Sequence, residues 1–299
     1  MFSQPQSDDA YWQTLPLGRG VTICARDDNG LAAFSKPAGI LSHPNEPRDQ
    51  PRSLLNARYE TDGEYYEFGI RNSECEMPDA SGAASRPAGV SHSAIRTPHS
   101  AFHRLWLLNR LDSATSGVIL AAGNEKLAKE IRALFQQRHI SKTYVALVLG
   151  LPSEKQQTWR DRLNIQKHAG QIRARASAGA GAGAHATAGN IPAEARMTVL
   201  RTWRDHPLAG GKPLALIQLE PKTGRSHQLR VQCAKRRLPI VGDATYGDFR
   251  ANRDFAKRTG EKRLFLHSLE TRFDYTHEGR AHTFSAKAGL PPAFSLGCA

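Results

Sequence analysis

Three polar clusters interrupt apolar segments of this sequence, and their residue types can do acid–base and electrostatic chemistry. They occupy residues 109–112 (Asn-Arg-Leu-Asp), 142–144 (Lys-Thr-Tyr) and 222–230 (Lys-Thr-Gly-Arg-Ser-His-Gln-Leu-Arg). Polar groups placed between core strands need hydrogen-bonding partners. We therefore take these clusters as candidates for a functional site, the first of them on a turn held between buried strands.

Apolar runs flank the clusters and predict the elements that hold them. Residues 104–108 and 117–122 predict strands on either side of the first cluster, and residues 142–150 predict a strand buried on both faces. Residues 124–139 have apolar side chains at helical spacing, and residues 226–237 predict a second helix that ends in cations. Many strands with two helices favour an α+β fold, with a mixed, mainly antiparallel sheet flanked by helices and loops.

The chain length and pattern predict a single domain over residues 1–299, with its core at about residues 21–290. Residues 71–100 are rich in Ser, Ala, Pro and Gly without periodicity, which predicts an irregular exposed loop. Residues 169–190 contain Ala/Gly repeats that bury little apolar surface, so we expect a disordered insert there.

The composition favours a polyanionic partner. The 41 Lys and Arg residues against 28 Asp and Glu give a net charge of +13, which suits phosphate binding, although a solvated basic surface would have the same composition. A DNA-binding protein is disfavoured because no helix-turn-helix or zinc-finger pattern is present. The four cysteines lie far apart without zinc-ligand spacing, and no stretch approaches the roughly 20 apolar residues of a membrane span. We expect reduced thiols, no metal and a soluble cytoplasmic protein.

The clusters and several neighbouring blocks resemble the RluA-type family of RNA pseudouridine synthases. The hallmark of that family, Arg-Leu-Asp followed by Thr-Ser-Gly, stands here as RLDSATSG at residues 110–117. The other matching blocks are KPAG, SKTYVALVLG, TGRSHQLRV, PIVGDATYG and RLFLHS at residues 36–39, 141–150, 223–231, 239–247 and 263–268. The resemblance implies the family's catalytic fold and its reaction, the cofactor-free conversion of uridine to pseudouridine in RNA.

Matched residue by residue, the resemblance implies that Asp112 is the essential catalytic carboxylate, that Tyr144 lies beside the target base and that Arg225 pairs with the aspartate. For Tyr144 the alternative is a strand tyrosine that fills the core. A carboxylate is suited to attack C1′ of the ribose or to stabilise positive charge there. A covalent adduct and a glycal-like intermediate formed by loss of the 2′ proton both remain open.

A uridine stacked in RNA cannot reach a carboxylate, so we expect the enzyme to flip it out of the stack. Arg110 is predicted to contact the phosphate or fill the gap, with an ordinary ion pair as the alternative. Lys142, His227, Gln228 and Arg230 are also predicted to bind RNA. For His227 and Gln228 the alternative is a structural role at a helix N-terminus.

Two departures from the family pattern affect these expectations. Most relatives carry histidine where this chain has Asn109, which changes hydrogen bonding in the loop. Residues 1–20 are too short and too acidic for the small N-terminal RNA-binding domain of many relatives, so recognition should rest on the catalytic domain. For Lys36 in the Lys-Pro-Ala-Gly block we expect a structural role, because Pro37 restricts the backbone and Gly39 permits a turn.

We therefore predict a monomeric enzyme without metal or cofactor, which acts on ribosomal or transfer RNA and needs neither a membrane nor an obligate protein partner. The alternative is a noncatalytic RNA-binding or RNA-remodelling protein on the same fold. The presence of Asp112, Tyr144 and Arg225 together argues against that alternative.

Overall fold

The computed structural model describes residues 9–69, 102–168, 171–176 and 190–297. Thirteen strands in these residues belong to one connected sheet. In chain order they are β1 (Thr22–Arg26), β2 (Leu31–Lys36), β3 (Arg58–Glu60), β4 (Tyr65–Gly69), β5 (Phe102–Leu107), β6 (Ser116–Ala122), β7 (Ser141–Leu149), β8 (Gln156–His168), β9 (Gln171–Ala176), β10 (Asn190–His206), β11 (Lys212–Pro221), β12 (Leu266–His277) and β13 (Arg280–Lys287).

The main path through the sheet is β3-β4-β5-β6-β12-β7-β11-β10-β8-β9. Strand β2 pairs with β6, β1 with β2, and β13 with β12. Strands β6 and β12 run parallel, whereas the other strand pairs among the described residues are antiparallel. The predicted α+β fold with a mainly antiparallel sheet is confirmed.

The sheet is covered by apolar layers on both faces near its middle. Every residue of β6 is buried, and alternate side chains enter different clusters because successive residues of a strand face opposite sides. Val118 and Leu120 pack with α2 (Glu125–Gln137), whereas Ile119 packs with β2 and β5. The loop that carries the first polar cluster leads directly into this rigid strand.

In the described part of the chain, three further α-helices accompany α2: α1 (Asp9–Gln13), α3 (Gln228–Lys235) and α4 (Phe249–Thr259). The two predicted helices correspond to α2 and α3, but α4 was not predicted. Its sequence is largely polar, and it buries only Ala251 and Phe255, one turn apart. A short helix with so narrow an apolar stripe leaves little periodic signal, although Asp248 caps its N-terminus by accepting hydrogen bonds from Arg250 and Ala251.

Part of the predicted disordered insert is a strand. Within residues 169–190, residues 171–176 form β9, which pairs with β8, so the prediction of disorder is wrong for these six residues. Their sequence, Gln-Ile-Arg-Ala-Arg-Ala, alternates apolar and polar types as a strand requires. The Ala/Gly run at 177–189 and the irregular loop predicted at 71–100 lie outside the described residues.

Candidate active site

All eight residues predicted for the site line one cavity of about 560 Å³. The cavity lies where the turn before β6, the start of β7 and the turn before α3 approach one another. The eight residues are Arg110, Asp112, Lys142, Tyr144, Arg225, His227, Gln228 and Arg230. Clusters more than 100 residues apart in sequence therefore meet at a single place.

The turn that carries Asp112 is held by the loop that follows β2. The buried Lys36 ammonium donates to the carbonyls of Pro37, Ile40 and Ser113, and the Ile40 contact is 2.6 Å long. Desolvation lowers the pKa of Lys36 to about 7, with Arg263 adding to that effect and Asp112 opposing it. These contacts agree with the structural role expected for Lys36.

A second set of hydrogen bonds fixes the same turn. The Ser42 hydroxyl donates to Leu111 O at 2.8 Å and accepts from Leu111 N at 2.9 Å. Asn109 accepts from Leu120 N at 2.8 Å, which joins the turn to β6. The asparagine that replaces the usual histidine thus has a defined structural contact, and the backbone on both sides of Asp112 is restrained.

The Asp112 carboxylate is paired with Arg230, which also holds a second aspartate. Arg230 Nη1 donates to Asp112 Oδ2 at 3.1 Å, while Nε and Nη2 form two 2.8 Å bonds to Asp243. Burial alone would lower the pKa of Arg230, but the hydrogen bonds and charges of Asp243 and Asp112 outweigh it and raise the pKa. This bidentate geometry suits a guanidinium and not an ammonium group.

Asp243 and Asp112 differ in burial and in whether both carboxylate oxygens have hydrogen-bond partners. Asp243 is buried and also accepts from the backbone of Thr245 and Tyr246. The Asp112 side chain is 28% exposed, and among the described residues its Oδ1 has no hydrogen-bond partner. Asp243 therefore positions the arginine, whereas Asp112 offers a carboxylate oxygen to the cavity.

The predicted pairing of Arg225 with Asp112 is wrong. Arg225 Nε donates to Pro192 O at 3.4 Å, and within the described residues its guanidinium forms no ion pair. Arg225 stands in the turn before α3, whereas Arg230 lies in the helix and points to the carboxylate. Both arginines fall in one matched block, so sequence position alone did not show which of them pairs with Asp112. The missed signal was Asp243, an acidic residue of the PIVGDATYG block that is buried in the structure.

Burial also changes the interpretation of two predicted RNA contacts. Arg230 is 6% exposed and has its donors on Asp112 and Asp243. Gln228 is buried, and its amide bonds to Thr223, to the Glu194 carbonyl and to Gln232. Both side chains are thus engaged within the protein, and Gln228 joins the turn before α3 to β10.

His227 lies at the edge of the carboxylate site. Its backbone is left-handed, with φ of 55°, and Nδ1 is 2.8 Å from the Tyr246 hydroxyl. Nε2 is 3.7 Å from Asp112 Oδ2. Desolvation lowers the pKa of His227 despite the opposing charge of Asp112, so the ring is neutral at neutral pH. His227 can therefore supply a hydrogen bond near Asp112 without adding a charge.

Tyr144 occupies the junction between the two sides of the site. It lies on β7 opposite Ser268 and Leu219, and its half-buried ring packs against two of the core clusters. Burial, with a smaller contribution from the charge of Asp112, raises the pKa of its hydroxyl to about 12, although a hydrogen bond with Ser268 opposes the shift. The group is a phenol at neutral pH and combines a core-packed ring with a polar atom at the cavity.

Positive charge remains at the opening of the cavity. Arg110 is exposed, and among the described residues its side chain contacts His43, with Nη1 3.3 Å from Nε2, and not an acidic group. Lys142 also lines the cavity, and desolvation lowers its pKa. With Arg225, these cations surround the opening and suit a phosphate-bearing ligand.

The described residues contain no cluster of three or more His, Cys, Asp or Glu side chains placed to hold a metal ion. None of their helices is both long and apolar enough to cross a membrane.

The chain also matches a known protein family and named relatives in sequence. Residues 30–235 match the family described as RNA pseudouridylate synthase, which confirms the resemblance drawn from the motifs. A protein named tRNA pseudouridine synthase C from Yersinia pestis is 34% identical over 192 residues, which cover 62% of this chain and 70% of that protein. A protein of the same name from Vibrio cholerae is 34% identical over 189 residues, 61% and 71% of the two chains.

Among solved structures, human RNA pseudouridylate synthase domain containing 1 has a similar fold. Its TM-score is 0.56 at 19% identity, with 92% of this chain and 86% of that chain covered.

Proposed function

As a member of the RNA pseudouridylate synthase family, this chain is an isomerase that acts on RNA, and we propose that its substrate is one uridine of a transfer RNA. The choice of transfer RNA over ribosomal RNA is supported by relatives at 34% identity that are named tRNA pseudouridine synthase C. The net charge of +13 suits either RNA and does not bear on the choice.

We assign the catalytic step to Asp112, and the placement of its carboxylate carries the assignment. The isomerisation breaks the C1′–N1 bond, forms a C1′–C5 bond, removes the C5 proton and protonates N1, so no atom is gained or lost. Attack at C1′ and removal of the 2′ proton both need a carboxylate oxygen that faces the ribose. Asp112 Oδ1 is the oxygen available for that role, because Arg230 occupies Oδ2 and the residue lines the cavity.

Arg230 acts in this account as a positioning residue. It donates two hydrogen bonds to Asp243, so it cannot turn away from Asp112 without leaving a buried carboxylate unpaired. An unpaired buried carboxylate would cost several kcal/mol of folding free energy. The pair therefore holds the carboxylate in one orientation before substrate binds, which lowers the cost of reaching the reactive geometry.

Tyr144 supports the uracil ring in this proposal, and its hydroxyl takes part in removal of the C5 proton. An aromatic face at the edge of a core stacks well on a base. Tyr144 lines the same cavity as Asp112, and the charge of Asp112 contributes to the raised pKa of its hydroxyl. The ring and the hydroxyl thus have separable contributions, to binding and to proton transfer.

The target uridine enters the cavity by flipping out of the RNA stack, which costs a few kcal/mol. Arg110 stands exposed at the opening, two residues before Asp112 in sequence, where it can fill the vacated position or contact the phosphate. Lys142, Arg225 and His227 also line the opening and are the remaining candidates for RNA contacts. Because one chain supplies all of these residues, we also propose that the enzyme acts as a monomer without a protein partner.

Pseudouridine mapping tests the substrate. Transfer RNA and ribosomal RNA are mapped from cells that lack the gene and from the same cells supplied with the wild-type protein. We expect one or a few uridines of transfer RNA to be modified only when the protein is present. Modification confined to ribosomal RNA would contradict the choice of transfer RNA, and no difference in either RNA would contradict the activity itself in those cells.

A further inference from the structure

Two aromatic side chains stack at the edge of the cavity. The ring of His43, in the loop after β2, lies parallel to that of Tyr59 on β3, with centroids 4.6 Å apart and planes at 10°. Tyr59 meets the buried Tyr66 edge to face at 5.0 Å, and the Tyr66 hydroxyl donates to Ser42 O at 2.7 Å. The stack is therefore anchored in the core and joined to the loop that holds the Asp112 turn.

The contacts of His43 define its tautomer and its orientation. Nδ1 is 3.1 Å from Pro44 O, which can only accept, so Nδ1 carries the hydrogen. Nε2 is 3.3 Å from Arg110 Nη1, which can only donate, so Nε2 is the acceptor. Both nitrogens and one ring face are thus occupied. His43 lines the cavity, and with Tyr59 on one face of the ring the opposite face is available for a ligand.

This arrangement has the parts of a site for single-stranded nucleic acid. Flat rings bind bases of any sequence by stacking, and a neighbouring arginine adds contacts to the phosphate or to the base face. Arg110 is exposed, and His43 and Tyr59 are each only half-buried. Simple core packing would not require a histidine ring with both nitrogens satisfied and one face toward a cavity.

We propose that His43, backed by Tyr59, stacks on an unpaired RNA base next to the target uridine and thereby holds the RNA while that uridine lies over Asp112. The ligand is a nucleobase adjacent to the modified position, bound outside the pocket for the uracil. This inference rests on the proposed function, because it needs a flipped uridine in the cavity.

The test combines a change in the RNA with a change in the protein. In the transfer RNA found by mapping, the base on either side of the target uridine is removed, one at a time, to leave an abasic nucleotide. Single-turnover and steady-state rates are measured with wild type, with His43→Leu and with His43→Phe, which keeps a flat ring but cannot accept from Arg110. Thermal unfolding without RNA shows whether each variant is folded.

For wild type, one of the two abasic RNAs should react about tenfold less efficiently, as expected for the loss of one stacked base. With His43→Leu the intact RNA should lose about the same factor, mostly in KM, and the abasic change should then cost less than about twofold. His43→Phe should keep most of the sensitivity of the wild-type rate to removal of that base. Two results would overturn the proposed stacking. One is an equal loss of rate on removal of the base in wild type and in His43→Leu; the other is no loss of rate in wild type when the base on either side of the target uridine is removed.

These outcomes separate the stack from the proposed substrate. If wild type modifies only ribosomal RNA, the choice of transfer RNA fails, and the same abasic series is run on the ribosomal fragment that contains the mapped uridine. If wild type modifies transfer RNA but the three proteins respond alike to the abasic nucleotide, the substrate stands and the stack fails.

Discussion

Helix α3 has an aspartate paired with its cations at each end, and the two arrangements differ in what they leave exposed. In its first turn, Arg230 donates to Asp112 at 3.1 Å. At its end, Lys235 and Arg236 each lie 2.8 Å from an oxygen of Asp161, and Gln232 donates to the same carboxylate at 2.9 Å. The Asp161 side chain is 1% exposed, against 28% for Asp112.

The contrast separates a structural ion cluster from a reactive one. Both oxygens of Asp161 are occupied, and the residue does not line the cavity. Asp112 lines the cavity with one oxygen on Arg230, and among the described residues its other oxygen has no hydrogen-bond partner. A carboxylate beside arginine is common in proteins and by itself indicates nothing about catalysis. The open oxygen in a cavity that also holds Tyr144 is what distinguishes Asp112.

Replacement of Arg230 by methionine should have the largest effect of the three variants that probe this contrast. The change leaves Asp243 buried without its partner, which should cost about 3–5 kcal/mol of unfolding free energy. It also releases Asp112, so we expect kcat to fall by about a thousandfold. Chemical denaturation measures the first effect, and tritium release from RNA labelled at uridine C5 measures the second.

Arg230→Lys is the matched control, because it keeps the charge but cannot bond to Asp243 and Asp112 together in the same geometry. It should recover part of the stability and little of the rate. Full activity in the lysine variant would show that Arg230 supplies only charge. Full activity in Arg230→Met would show that the pair does not position the carboxylate.

Tyr144→Phe should have the next largest effect. The change keeps the ring that packs against the core and removes the hydroxyl, so kcat should fall by about a hundredfold while KM stays within about threefold. Tyr144→Leu, which also removes the flat face, should raise KM as well. Steady-state rates with the mapped RNA provide the measurement, and an unchanged kcat in Tyr144→Phe would limit this residue to support of the base.

Asp161→Asn should have the smallest effect on the reaction, with kcat within about twofold of wild type. It should lower the unfolding free energy by about 2–3 kcal/mol at pH 7, because the hydrogen bonds from Lys235, Arg236 and Gln232 lose their charged acceptor. Burial alone would raise the pKa of Asp161, but the hydrogen bonds from Lys235, Arg236 and Gln232 outweigh it and lower the pKa.

The lowered pKa of Asp161 predicts how the loss of unfolding free energy in Asp161→Asn depends on pH. A carboxyl group whose pKa is lower in the folded state contributes stability above its unfolded pKa, which is about 3.9 for aspartate, and loses it as pH falls through the folded value. The difference between wild type and Asp161→Asn should therefore be constant from pH 7 to about pH 5 and shrink in more acidic buffer. Denaturation at several pH values checks this, and a difference that grows toward acid would contradict the assignment.

Much of the architecture was accessible from sequence because its signals are local. The apolar run of β7 and the helical spacing of α2 depend on neighbouring residues, and both were predicted. The polar interruptions at Asp112 and Tyr144 stand out for the same reason, because they end or begin apolar strands. Local pattern located the three polar clusters that meet in the cavity, and the family resemblance assigned roles to residues within them.

The sequence did not show in the same way which side chains pair with one another in the site. Arg225 and Arg230 are five positions apart in one matched block, and only the start of α3 between them decides which reaches Asp112. The clamp by Asp243 is formed across 13 residues of chain and depends on the turn that follows Ile240. The stacking of His43 on Tyr59 likewise joins a loop to a short edge strand, and neither residue has a periodic signal.

The central claim is that Asp112 supplies the carboxylate that opens the glycosidic bond, and Asp112→Asn tests it most directly. The asparagine is nearly isosteric, can still accept a hydrogen bond from Arg230 and loses the negative charge. Tritium release and pseudouridine mapping are followed with the transfer RNA identified for wild type, alongside measurements of RNA affinity and thermal unfolding. We expect binding and folding close to wild type with turnover reduced by at least about ten-thousandfold. Turnover within about tenfold of wild type in the folded variant would contradict the assignment of Asp112.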